Sequence, residues 1–170
     1  PHLRWLTDVN YKSEHVFYVD GNPVATDAKV FADDATHPGG WGTILVVPFR
    51  LGGGMIETPT PKTAASQYDP GVCAASNCVK QVSYSSYVVL DVTDPEQAPT
   101  VLAELHPASD DGNGQSFTTS VPAFAVMRDP SSGNPDKFFM FIGSGPTGTT
   151  DSGVSTAVTS TAPLRLYAYD

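Results

Sequence analysis

Long apolar runs, basic clusters and helical periodicity are all missing from this 170-residue chain. The longest apolar stretches, TILVVPF at 43–49 and KFFMFIG at 137–143, fall far short of the ~18 residues a membrane-spanning helix needs. Lys and Arg number 9 against 18 Asp and Glu, a formal net charge of −9. Proteins that hold DNA or RNA neutralise phosphates with Lys and Arg. Nucleic acid is therefore excluded as a main partner, and anionic membrane surfaces are disfavoured for the same reason. No window of eleven or more residues repeats apolar side chains at helical spacing, and the best helical candidate, LRWLTD at 3–8, is short. Gly and Pro, 15 of each, interrupt helices and argue against a helix bundle. The chain opens PHLRWLTDVNYK, without an initiator Met or a basic-then-apolar leader. The expectation is a processed product or an internal fragment.

Catalytic and metal patterns are equally sparse. The four histidines, His2, His15, His37 and His106, show neither i, i+4 spacing nor a cysteine at zinc spacing. There is no G-x-S-x-G nucleophile elbow. Arg50-Leu51-Gly52-Gly53-Gly54 leads into Met55-Ile56-Glu57 rather than into the Lys or helix start of a phosphate loop. No paired carboxylates can be assigned for glycosidase chemistry. Asp110, Asp111 and Asn113, in ASDDGNGQS, offer oxygen ligands around glycine but fit no calcium-loop spacing. They are weak cation candidates, and a solvated loop is the plainer reading. Cys73 and Cys78, in VCAASNCV, either form a local disulfide in an oxidising compartment or stay as two thiols.

Strand signals fill the space left. Apolar residues are 40% of the chain, enough for a sizeable core. Eight segments read as strands: 15–19, 24–31, 43–49, 86–93, 100–105, 121–127, 137–143 and 164–169. Those at 43–49, 86–90 and 137–142 are apolar on both faces, which implies cover on both sides. A sandwich has two layers, whereas a propeller stacks each sheet between two neighbours. The order of strands repeats: a Pro-led strand, an apolar run ending at glycines, then a strand closing on an acid. Residues 52–84 interrupt the first unit with turn-rich sequence lacking a strand pattern, and read as an inserted loop. Asp20-Gly21-Asn22-Pro23 and Asp91-Val92-Thr93-Asp94-Pro95 have turn chemistry. Trp5, Trp41, Phe49, Phe138, Phe139 and Phe141 are expected to pack between sheets.

The expected fold is therefore all-β: part of a β-propeller, about two four-stranded antiparallel blades with a long inserted loop. An entry segment covers 1–22, a first blade 23–106 with insertion 52–84, and a second, incomplete blade 117–170. Such a part would leave apolar faces bare and is not expected to be stable as a lone monomer.

Six strings carry a family resemblance: His15 to Pro23, Trp41 to Gly54, Tyr87 to Pro95, Pro122 to Asp129, Phe138 to Gly145 and Leu166 to Asp170. With VDGNP, VLDVTDP and LYAYD among them, the chain resembles the C-terminal β-propeller of the type IV pilus tip adhesins (PilC/PilY). It departs from them where about thirty residues separate the Gly-rich string from the next strand, and where the family's calcium loop has no counterpart. The resemblance implies a non-enzymatic adhesin and assembly factor, secreted to the cell surface at the pilus tip. Its implied partners are pilin or minor pilin subunits, the remainder of the propeller or parent chain, and a host or abiotic surface. It also implies Ca²⁺, with no site identified here. The alternatives are a quinoprotein-type propeller oxidoreductase, disfavoured by two Trp and no vicinal cysteines, and a structural module of another extracellular filament or surface complex.

Overall fold

The computed structural model describes residues 18–52, 85–107, 116–128, 136–146, 160 and 163–170 in full, and 56–61, 78–83, 148–151 and 156–159 as backbone. The described residues are all-β apart from a single 3-10 turn at Pro38–Gly40. Among the described residues there are eleven strands: β1 Val24–Lys29, β2 Trp41–Pro48, β3 Ile56–Pro61, β4 Cys78–Ser83, β5 Tyr87–Asp91, β6 Thr100–Leu105, β7 Ala123–Met127, β8 Lys137–Gly143, β9 Gly148–Asp151, β10 Thr156–Thr159 and β11 Leu166–Tyr169. Seven of the eight expected strands are among them; of the eighth, at 15–19, residues 15–17 lie outside the described residues and Tyr18 and Val19 belong to no strand, while the helical candidate at 3–8 lies wholly outside them.

Two antiparallel sheets form the body. The first has four strands in the order β1-β2-β5-β6, and the second has three in the order β11-β8-β7. Each is a meander in which strands neighbouring in the sheet run antiparallel, as short connections favour. Neither sheet is closed. Two further two-stranded ribbons, β3-β4 and β9-β10, complete the sheets among the described residues. The insertion at 52–84 is thus not a structureless loop, because it carries the ribbon β3-β4. Pro59 and Pro61 hid this strand from a pattern reading. Two residues apart in a two-stranded ribbon, both can turn their missing N–H to the same unpaired edge.

The strand registers make the two sheets equivalent. In the first, Val46 pairs with Val24 on one side and Val89 on the other. In the second, Phe141 pairs with Ala123 and Ala168. Pro23 and Pro122 precede β1 and β7, and Asp91 and Asp170 lie two residues beyond Val89 and Ala168. Val46 and Phe141 therefore occupy the same place. A ribbon is inserted after the second strand of each unit, β3-β4 after β2 and β9-β10 after β8.

The core lies between the sheets. Val46, Tyr87 and Val89 of the first pack with Met140 and Ile142 of the second. Ile44, Ala103 and Leu105 flank them from one side, and Phe124, Tyr167 and Tyr169 from the other. Side chains alternate between faces along a strand, so the opposite faces carry Leu45, Val47, Val88 and Leu90 in the first sheet and Phe139 and Phe141 in the second. All six are half-buried. Burying the five central side chains supplies roughly 1.5–3 kcal/mol for each large apolar one relative to exposure.

The equivalence of Val46 with Phe141 shows how the sheets stack. Met140 and Ile142 correspond to Leu45 and Val47, which lie on the far face of the first sheet. The inner face of one unit thus meets the opposite face of the other. This is a head-to-tail stack, unlike the isologous arrangement in which two like faces meet.

Candidate functional site

Both ribbons leave the body at the same end. β2 ends at Pro48 opposite the start of β5 at Tyr87, and β8 ends at Gly143 opposite the start of β11 at Leu166. These ends are joined by residues 116–121, which strap the two units together. Thr118 forms an antiparallel bridge with Arg50. The Tyr87 hydroxyl donates to the Ser120 carbonyl at 2.8 Å. The Gly143 N–H donates to Ser120 Oγ at 3.0 Å, and the Phe117 N–H to the Pro146 carbonyl at 2.9 Å. Desolvation pushes the Tyr87 hydroxyl up to about 12, against the opposing effect of its hydrogen bond to Ser120. It stays a neutral donor.

A buried hydroxyl cluster fixes this junction. Ser85, Ser86, Ser116 and Thr118 are each almost wholly removed from solvent. Ser85 Oγ lies 2.7 Å from the Arg50 carbonyl, to which it donates, and 2.8 Å from Thr118 Oγ1. The Thr118 N–H donates to Ser85 Oγ at 3.0 Å, and the Arg50 N–H donates to Thr118 Oγ1 at 2.8 Å. These bonds hold Arg50 at φ +56°, a conformation that costs a non-glycine residue about 1–3 kcal/mol. The strain directs the chain out of β2 towards the ribbon. Ser86 Oγ is buried without a hydrogen-bond partner.

Above the cluster is a polar cavity of about 260 Å³, lined among others by Asp20, Asn22, Arg50, Thr119 and Ser120. The Arg50 guanidinium pairs with Asp20 at 3.3 Å and remains half-exposed. Asp20 also accepts the Leu51 N–H at 3.3 Å. The Asp20–Pro23 turn therefore clamps the exit of β2 as well as leading into β1. A close approach is required here, because a Cβ on Gly21 would run into the Pro48 carbonyl. One guanidinium, one carboxylate and several hydroxyls form a surface suited to hydrogen-bonding a polar partner.

The other end of the sheets is organised around His37, which pattern reading left without a role. Its Nδ1 lies 3.1 Å from Asp34 Oδ1 and its Nε2 lies 2.9 Å from Asp91 Oδ2. Its ring stacks on Phe31 with centroids 4.1 Å apart. Desolvation disfavours the ring's charge, but the hydrogen bonds to Asp91 and Asp34 outweigh it and raise the His37 pKa above its ordinary value. Asp91 is lowered: burial opposes its charge, while hydrogen bonds from Thr93 and then from His37 win. Asp34 is lowered chiefly by the His37 N–H, against desolvation. The cluster pins the 31–40 loop to the turn after β5. Asp94 caps that turn, as its sequence suggests, by accepting the Glu96 N–H at 3.0 Å.

Between the sheets, towards this His37 end, an apolar cleft of about 360 Å³ opens beside Ala28, Ile44, Phe124, Phe138 and Tyr169. Trp41 closes on Phe138 edge to face at 5.5 Å, across the two sheets as expected. Phe139 and Phe141 instead lie side by side, centroids 6.2 Å apart, on the outer face of the second sheet. Phe138 and Phe139 are neighbours in β8, so they point to opposite faces.

The weak cation candidates Asp110, Asp111 and Asn113 lie outside the described residues, as does Cys73, while Cys78 opens β4 opposite Pro61. Among the described residues, no group of three or more His, Cys, Asp or Glu is placed to hold a metal ion, and no helix is long and apolar enough to cross a membrane. Comparison with family models, curated proteins and solved structures finds no match to this chain.

Proposed function

We propose that the chain is a rigid propeller segment that presents its two ribbons to a partner, acting as an extracellular adhesin and assembly module at the tip of type IV pili. The observation that carries this reading is the repeated architecture. Two equivalent sheets stack head to tail, and each inserts a ribbon at the same end. Radial repetition of such sheets is the logic of a propeller, which leaves short, protected edges and a stiff body. Insertions on a stiff body are where binding surfaces are commonly built. The pilus enters through the VDGNP, VLDVTDP and LYAYD strings. Arg50, Asp20 and the hydroxyls of the strap would form the floor of the surface, with pilin or minor pilin as the partner.

The test separates binding from folding. Arg50 and Ser85 face each other closely, so Gly52 can be joined to Ser85 through an Asn-Gly pair, removing β3-β4 without parting β2 from β5. Wild-type chain should co-sediment with purified type IV pili. The shortened chain should keep its far-UV circular dichroism per sheet and its cooperative unfolding but lose at least tenfold in pilus retention. Wild-type chain that stays in the supernatant would remove the pilus from this reading.

A further inference from the structure

We propose that the cleft between the two sheets is a binding site for a neutral, flat, bicyclic aromatic molecule that carries one hydrogen-bond acceptor. The two walls differ in kind. Ala28, Ile44 and Ala103 line it from the first sheet, and Phe124, Phe138 and Tyr169 from the second. Ala28 shares its face of β1 with Val24, the partner of Val46, and Ala103 is the partner of Val89. Both alanines therefore lie on the inner face, where their single methyl groups stop short of the opposite sheet. Across from them, Phe124 and Tyr169 flank Met140 in register from either side. An aliphatic wall facing a row of aromatic rings and a thioether leaves a slot that a flat ring fills, by offset or edge-to-face contact with those rings.

Size and polarity narrow the ligand. At about 360 Å³ the cleft has more than twice the room of the ~150 Å³ apolar cavity that holds benzene, and it falls in the range of sites for small organic ligands. Packed interiors leave few voids wider than a water molecule, so looseness of packing does not account for it. The carboxylates beside it are engaged, Asp170 by Lys137 at 3.7 Å and Asp27 by the Thr43 hydroxyl at 2.7 Å. Among the described residues, its lining thus offers no unengaged charge to an ionic ligand. The Thr26 hydroxyl is turned to the Asp27 carbonyl at 3.4 Å. The Tyr169 hydroxyl has no hydrogen-bond partner among the described residues, and desolvation, then the nearby Tyr167, raise its pKa, so it stays protonated. A carbonyl oxygen on the ligand would accept from it. The inference does not rest on the pilus: the cleft lies towards the His37 end and the ribbons leave from the other, so pilus retention and ligand binding can fail separately.

The experiment titrates the 170-residue chain with Prodan, a neutral naphthalene ketone whose emission moves to the blue in apolar surroundings. Wild-type should bind one equivalent, with blue-shifted emission and a Kd below about 100 μM. Ala103→Phe fills the slot and should weaken binding at least about tenfold. Val126→Trp, at an exposed position on the cleft, should do the same, and it decides the matter should Ala103→Phe fail to fold. Tyr169→Phe should weaken Prodan by about three- to tenfold, while naphthalene, which has no acceptor, should displace Prodan from it with unchanged affinity. Prodan that stays unbound overturns the proposal. So does Prodan that binds the two cleft variants as tightly as wild-type, because the dye then sits on the outer sheet faces. Decanol that displaces Prodan at lower concentration than naphthalene overturns the aromatic class, and equal Prodan affinity in wild-type and Tyr169→Phe overturns the acceptor.

Discussion

His37 shows how one side chain can tie two distant stretches together. With a carboxylate at each ring nitrogen, the imidazolium donates twice, whereas the neutral ring donates once and turns a lone pair towards the other carboxylate. The folded pKa is raised, so the stabilisation is complete below the ordinary value of 6.5 and is lost as pH rises through the raised folded value. Asp34 and Asp91 are lowered, so their contribution is present above 3.8 and is lost as pH falls through their depressed values. The pin is therefore strongest in mildly acid solution. Thermal melts of wild-type and His37→Gln should differ most near pH ~5.5 and converge towards pH ~9. A constant gap across that range would show that the ring acts by packing on Phe31 alone.

At the scale of the element, β2 decides the most. It is one of the two central strands of the first sheet, and it starts under a loop held by His37 and ends two residues before strained Arg50. Its second residue, Gly42, has no room for a side chain: a Cβ would lie 2.5 Å from the Phe31 ring and 2.6 Å from Thr93 Oγ1. Gly42→Ala should cost about 1–3 kcal/mol in urea unfolding, the range for overpacking a close contact. Gly143, at the end of β8, is the control, because its Cβ would come no nearer than 3.5 Å to Ser120 Oγ. Gly143→Ala should stay within about 0.5 kcal/mol of wild-type. Equal losses at the two sites would mean that backbone freedom, rather than space, is what both glycines supply.

For the whole molecule, the question is whether the two sheets fold as one unit. Ile142 is completely buried at their interface, with Val46 and Tyr87 across from it. Ile142→Ala should cost about 2–5 kcal/mol, transfer and cavity together. The transition should remain single and be seen alike by Tyr fluorescence and far-UV circular dichroism. Two separated transitions would show that the sheets unfold independently and that the strap at 116–121 does not couple them.

The sequence alone determined the all-β class, seven described strands and the repeated unit, because β-branched and aromatic runs bounded by Pro and Gly are local signals. It also showed that the middle strands are apolar on both faces, since alternation, or its absence, can be read along one strand. Asp94-Pro95 was legible as a turn for the same reason. The ribbon β3-β4 was not, because prolines at 59 and 61 mimic a loop until the edge they occupy is known. The pin at His37 was not legible either, since its partner Asp91 lies 54 residues away. The tertiary structure alone decided which unlike faces meet, that both ribbons leave from one end, and that Arg50, Ser85 and Thr118 come together. Each of these depends on register between distant strands, and pairing, unlike periodicity, is settled only when the sheets close on each other.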